Sequence, residues 1–79
     1  MRGYEQIQGW IIDALFALGG HGSIVQIGKW IWENHESDLR AMGDMFYVWQ
    51  YVLRWEGQKL QKKGLIVKGD VRRGTWRLT

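Results

Sequence analysis

Tyr47, Tyr51 and Trp55 recur every four positions, and the segment from 47 to 62 also carries Gln50, Arg54, Gln58 and Lys62. Four-residue spacing sets side chains along one face of a helix. At about 100° per residue the aromatic row lies roughly 120–200° around that helix from Leu53, so with Leu53 in a core the row points outward. Rings mixed with Arg, Gln and Lys suit the edges of base pairs. Arg pairs with guanine, Gln with adenine, and an apolar ring meets a methyl group. Packing against a neighbouring helix or strand is the alternative for Trp55, because helix stripes can be broad. A second cationic element is the pair Arg72 and Arg73, at the tip between two short apolar runs. Each planar guanidinium can hold a phosphate with two hydrogen bonds. An edge hairpin protected from pairing by its charge has the same pattern.

Charge is divided along the chain. Residues 1–44 hold three basic residues (Arg2, Lys29, Arg40) and six acidic ones, for a net −3. Residues 45–79 hold eight basic residues and only Glu56 and Asp70 as acids, for a net +6. A basic C-terminal half is the footprint of a polyanion-binding face, while an ordinary solvated surface is the plainer account. No catalytic pattern accompanies it. His21 and His35 lack metal-ligand spacing, and Glu33, Glu36 and Asp38 are expected to be solvated acids. Neither a phosphate loop nor a dinucleotide-binding glycine pattern is present. The chain is therefore read as a binding domain that needs no cofactor and no metal.

Several elements must position these residues. Ile7, Trp10, Ile11, Ala14, Leu15 and Leu18 form a helical stripe, closed by Gly19 and Gly20. Ser23 caps a second helix over 24–35, with Ile24, Ile27 and Ile31 inward and Trp30 and Trp32 on its flanks. Residues 36–44 read as polar and irregular, with Gly43 and Asp44 as a further start signal. A third helix covers 45–63, its inner stripe being Phe46, Trp49, Leu53, Gly57 and Leu60, and Gly64 stops it. Strands at 65–68 and 75–78 finish the chain around a charged tip at 69–74. Three helices followed by a two-stranded hairpin predict an α+β fold, a winged helix-turn-helix. Its third helix enters the major groove, with the hairpin as a wing beside it.

The run Leu53-Arg54-Trp55, then Leu60-Gln61-Lys62-Lys63-Gly64-Leu65-Ile66, and the ending Arg73-Gly74-Thr75-Trp76-Arg77-Leu78-Thr79 resemble the winged-helix domains of Mrr-type restriction systems. Leu18-Gly19-Gly20-His21-Gly22-Ser23 is similar to the turn between their first two helices. The resemblance spans most of residues 14–79. It implies a prokaryotic, cytoplasmic specificity module that binds double-stranded DNA and is fused to a separate nuclease domain. It also implies a preference for modified bases, N6-methyladenine among them; together with the outward aromatic row, this makes Tyr51 and Trp55 the expected methyl contacts. The segment Phe46-Tyr47-Val48-Trp49-Gln50-Tyr51 is richer in aromatics than that type.

Composition sets the outer bounds. The 79 residues make one domain, of a size that buries about 60% of its unfolded surface, and its ending on an apolar strand is expected of a domain taken from a longer protein. The absence of cysteine excludes disulfides and thiolate zinc sites and suits a reducing compartment. No apolar run is long enough to span a membrane, and the N-terminus lacks signal-peptide order. Six tryptophans and three tyrosines exceed what so small a core readily hides. Trp10, Trp49 and Trp76 are assigned to the core. Two other classes remain open: protein docking on an exposed Trp30 and Trp32 patch, or stacking of unpaired RNA bases.

Overall fold

Each helix carries one apolar stripe, and in the computed structural model the three stripes meet. It describes residues 3–41, 43, 45–68 and 75–79, with side chains for all of these except 3–5, 45 and 46. Helix α1 (Gly3–Ala17) buries Ile7, Ile11 and Leu15 against Ile27 and Ile31 of α2 (Ile24–Arg40) and Trp49, Leu53 and Leu60 of α3 (Met45–Lys62). Trp10, Trp49 and Trp76 all lie in this core. Three short strands, β1 (His21–Ser23), β2 (Ile66–Lys68) and β3 (Thr75–Leu78), form one antiparallel sheet with β3 in the middle. The class is α+β. Phe46, expected on the inner stripe of α3, has a side chain outside the described residues, as does the whole 69–74 tip with Arg72 and Arg73.

Glycine ends α1 and α3 in the same way. Gly20 N donates to Leu15 O at 2.7 Å and Gly19 N to Phe16 O at 3.1 Å, while Leu65 N donates to Leu60 O and Gly64 N to Gln61 O, each at 3.0 Å. Gly19, Gly20 and Gly64 hold φ of 91°, 103° and 81°. A side chain at such angles is strained, so these positions favour glycine. The start of α2 is fixed by a reciprocal cap. Ser23 Oγ accepts from Gln26 N at 3.1 Å, and Gln26 Oε1 accepts from Ser23 N at 2.9 Å.

Helix α2 corrects the expected boundary at residue 35. His35 is not an end but a kink (φ −132°, ψ 25°), after which the helix continues to Arg40. The continuation has a packing reason: it returns Leu39 to the core, fully buried. Its polar residues pair locally, with Arg40 Nε 2.9 Å from Glu36 Oε2 and His35 Nδ1 3.1 Å from Asp38 Oδ2. Residues 36–40 are therefore not irregular. Asp44 lies outside the described residues.

The same kink corrects the exposed tryptophan patch. His35 stacks on Trp10 with ring centres 4.2 Å apart, and Trp30 tilts against it at 5.9 Å. The Arg40 guanidinium lies 5.6 Å from the Trp32 ring centre. Both flanking tryptophans are half-buried. A second correction concerns the sheet. The sequence predicts a two-stranded wing, but β1 joins β3, with Gly22 opposite Trp76. His-Gly-Ser has little strand propensity. It pairs because β3, flanked on one side by β2, would otherwise leave its other edge without partners. Two bounds shift slightly: α3 ends at Lys62 and β2 begins at Ile66, one residue inside each expected bound.

Candidate nucleic-acid interface

Helix α3 is held against the core along one side. A Cβ built on Gly57 would run into Trp76 Cη2, so the indole rests on bare helix backbone, and only glycine permits this approach. Beside Gly57, Glu56 is 1% exposed. Gln8 Nε2 donates to its Oε1 at 2.6 Å and Lys59 Nζ to its Oε2 at 3.2 Å, while Lys63 Nζ donates to Gln8 Oε1 at 2.9 Å. Both carboxylate oxygens are therefore occupied, which a buried charge requires. This network ties α1 to α3 and fixes the rotation of α3 about its axis.

That rotation decides what faces water. Tyr47, Tyr51 and Trp55 are 81%, 73% and 65% exposed, and Gln50, Arg54, Gln58 and Lys62 are exposed as well. The structure thus brings seven of the sequence-derived site residues onto the exposed side of one helix. It also selects between the alternatives for Trp55, whose ring is outside the core. With Glu56 buried, every charged residue that α3 exposes is cationic: Arg54, Lys59 and Lys62. Arg72 and Arg73 cannot be placed relative to this surface, since they lie outside the described residues.

Two features escape the sequence. Between α2 and α3 runs a groove of about 580 Å³, lined by Ile24, Val25, Gly28, Lys29, Trp32, Trp49, Gln50, Leu53 and Arg54. Val25 and Lys29 contribute a wall from α2, and Val25 is 78% exposed. Their one sequence signal is i, i+4 spacing off the Ile24, Ile27 and Ile31 stripe. A smaller hollow of about 290 Å³ beside Gln50, Tyr51 and Arg54 continues the groove onto the aromatic face.

Lys68 is the second feature. From β2 its Nζ lies 4.8 Å from the Trp76 ring centre. Partial burial, and then the positive charge of Arg54, lower its pKa from 10.5. Burial is the larger cause, and the charge of Arg54 on the neighbouring helix adds to it.

Comparison with protein-family models, curated proteins and solved structures finds no significant match. The chemistry of the surface therefore rests on its own residues. Among the described residues no group of three His, Asp or Glu side chains could hold a metal ion, and no helix is long and apolar enough to cross a membrane.

Proposed function

We propose that the domain binds double-stranded DNA as a winged helix, with the outward face of α3 laid in the major groove. One observation carries the reading. The only acid of α3 is buried and neutralised, leaving an exposed face of Tyr47, Gln50, Tyr51, Arg54, Trp55, Gln58 and Lys62 that mixes cations, amides and rings. Cations hold the phosphates, and amides, guanidinium and rings meet base edges. The helix order supports the same reading, with a capped α2 leading into α3 and a sheet beside them.

A finer reading follows from the outward aromatics and from the resemblance to restriction specificity modules. The preferred DNA carries N6-methyladenine, Tyr51 and Trp55 form the wall for the methyl group, and a nuclease domain fused to this one does the cutting. Arg72 and Arg73, from the wing tip, add phosphate contacts. The protein-docking alternative loses its motive, because Trp30 and Trp32 are half-buried under His35 and Arg40.

Titration of a labelled 12-base-pair duplex against salt tests the reading. Each phosphate contact contributes about 0.9 to the slope of log K against log salt, so the double variant Arg54→Ala, Lys62→Ala should lower the slope by up to about 2. Salt-independent binding, or none, would exclude DNA as the partner of this face.

A further inference from the structure

We propose that the α2–α3 groove receives one unpaired base of a DNA strand, with the adjoining phosphate held between Lys29 and Arg54. The inference rests on the DNA-binding reading above and extends it from the outer face of α3 to a second, concave subsite.

The size and lining of the groove argue for this occupant. A volume of about 580 Å³ lies in the roughly 300–1,000 Å³ range of clefts that hold small molecules. Its apolar walls come from Ile24, Val25 and Leu53, and its rings from Trp32 and Trp49. Apolar and aromatic walls are what sites for extruded bases offer. Gln50 also lines the groove, and its amide carries a donor and an acceptor side by side, which matches the paired polar edge of a base. Lys29 stands on the α2 wall and Arg54 on the α3 wall, and the described lining contains no carboxylate. A planar occupant with one attached negative charge satisfies all of these together.

Continuity names the strand as the source. Gln50 and Arg54 line both the groove and the hollow beside Tyr51, so a strand lying on the outer face of α3 passes the groove mouth. Gly28 supplies an independent argument. A Cβ there would meet Leu53 Cδ2 at 3.8 Å and Trp49 Cη2 at 3.9 Å, ordinary contacts that packing accepts. Inside a helix glycine is less favourable than alanine by about 1 kcal/mol. The fold thus carries a glycine that packing does not require, and its effect is to leave the groove open.

The test uses two duplexes of one sequence, fully paired or with a single bulged 2-aminopurine. Anisotropy gives the affinity, and the emission of the analogue reports stacking. The bulged duplex should bind about tenfold tighter, within the range that stacking one base on an aromatic surface supports. Its emission should be quenched at saturation. Gly28→Met, which fills the groove, should abolish the preference while keeping paired-duplex affinity, salt slope and melting temperature. Equal affinities for two duplexes that both bind would overturn the inference and leave the DNA reading standing. If neither duplex binds, that reading falls and the inference with it. The emission needs no variant: an unquenched analogue in the saturated complex overturns the proposal by itself.

Discussion

The two sides of α3 use the same residue types for opposite ends. Trp49 and Trp55 sit six positions apart on one helix, yet the first is 5% exposed and the second 65%. Glu56 is buried with both oxygens bonded, while Arg54 and Gln58 beside it in sequence face water. Residue identity does not separate a core tryptophan from an available one; angular position does. The rotation that sets this angle is locked by two contacts of the inner side, Trp76 on Gly57 and Gln8 on Glu56. An outward face is useful for recognition only if its inner side cannot turn.

The largest test of the contrast sets Trp76→Ala against Trp55→Ala. Removing the central-strand indole should destabilise by about 3–5 kcal/mol, comparable with all that a domain of this size has available. Thermal denaturation followed by circular dichroism should show no cooperative melt. Trp55→Ala should move stability by no more than about 0.5 kcal/mol, and an equal collapse would place Trp55 in the core.

Gly57→Ala should come next. The added methyl meets the Trp76 ring well inside contact distance, and overpacking of this kind costs about 1–3 kcal/mol, more than the gain of about 1 kcal/mol in helix propensity. Gly9, exposed on α1 with nothing within 4 Å of where a Cβ would stand, is the control with the opposite sign. Gly9→Ala should raise the melting temperature, and Gly57→Ala should lower it by roughly 5–15 °C. A neutral Gly57→Ala would mean that Trp76 has room to move. Of similar scale is Gln8→Leu, which leaves Glu56 Oε1 without its donor and should cost about 1–3 kcal/mol in chemical denaturation.

Much of this arrangement is legible in the sequence, for a physical reason. Period 3.6 exposes the inner and outer arcs of α1 and α3 directly, so counting alone places Trp10, Trp49 and the outward aromatic row. Where local pattern and tertiary packing disagree, counting fails. Residues 36–40 offer a single apolar residue, Leu39, and a helix that kinks at His35 to bury it leaves no periodic trace. Strand β1 is His-Gly-Ser, which forms a strand only because β3 is beside it. The burial of Glu56 has no trace in the sequence, because its partner Gln8 is 48 positions away. Lys29 and Val25 do not stand out in the sequence because the groove they line exists only between two helices.

Lys68 provides a smaller effect that sharpens the contrast from the outward side. A lysine whose pKa is lower in the folded than in the unfolded state binds its proton less readily when folded. Its penalty is therefore present at neutral pH and lifts as pH rises through the lowered value toward 10.5. Urea midpoints from pH 7.5 to 10 should show an alkaline gain that Lys68→Gln removes. A bound polyanion, which offsets the charge of Arg54, should reduce that gain. If the two proteins follow the same pH curve, the surroundings of Lys68 place no penalty on its charge in the folded protein.

The smallest effect concerns what the outward rings can distinguish. A single methyl group removed from water is worth about 0.8 kcal/mol, roughly fourfold in affinity. A duplex with N6-methyladenine on one strand should therefore bind only about fourfold tighter than its unmethylated twin. If the two strands are contacted independently, full methylation should give about the square of that ratio, near sixteenfold. Tyr51 and Trp55, one helical turn apart on the free side of α3, offer the apolar wall, while Arg54 and Gln58 between and beside them can hold base edges in register. Trp55→Ala should bring the ratio close to one and leave salt-sensitive binding of any duplex, with the melt intact because the ring is outside the core. Competition titrations with unmethylated, hemimethylated and fully methylated duplexes measure all three ratios at one salt concentration. Ratios near one in the unaltered protein, across several adenine contexts, would strip the aromatic row of a methyl-reading role and leave α3 as a reader of unmodified sequence.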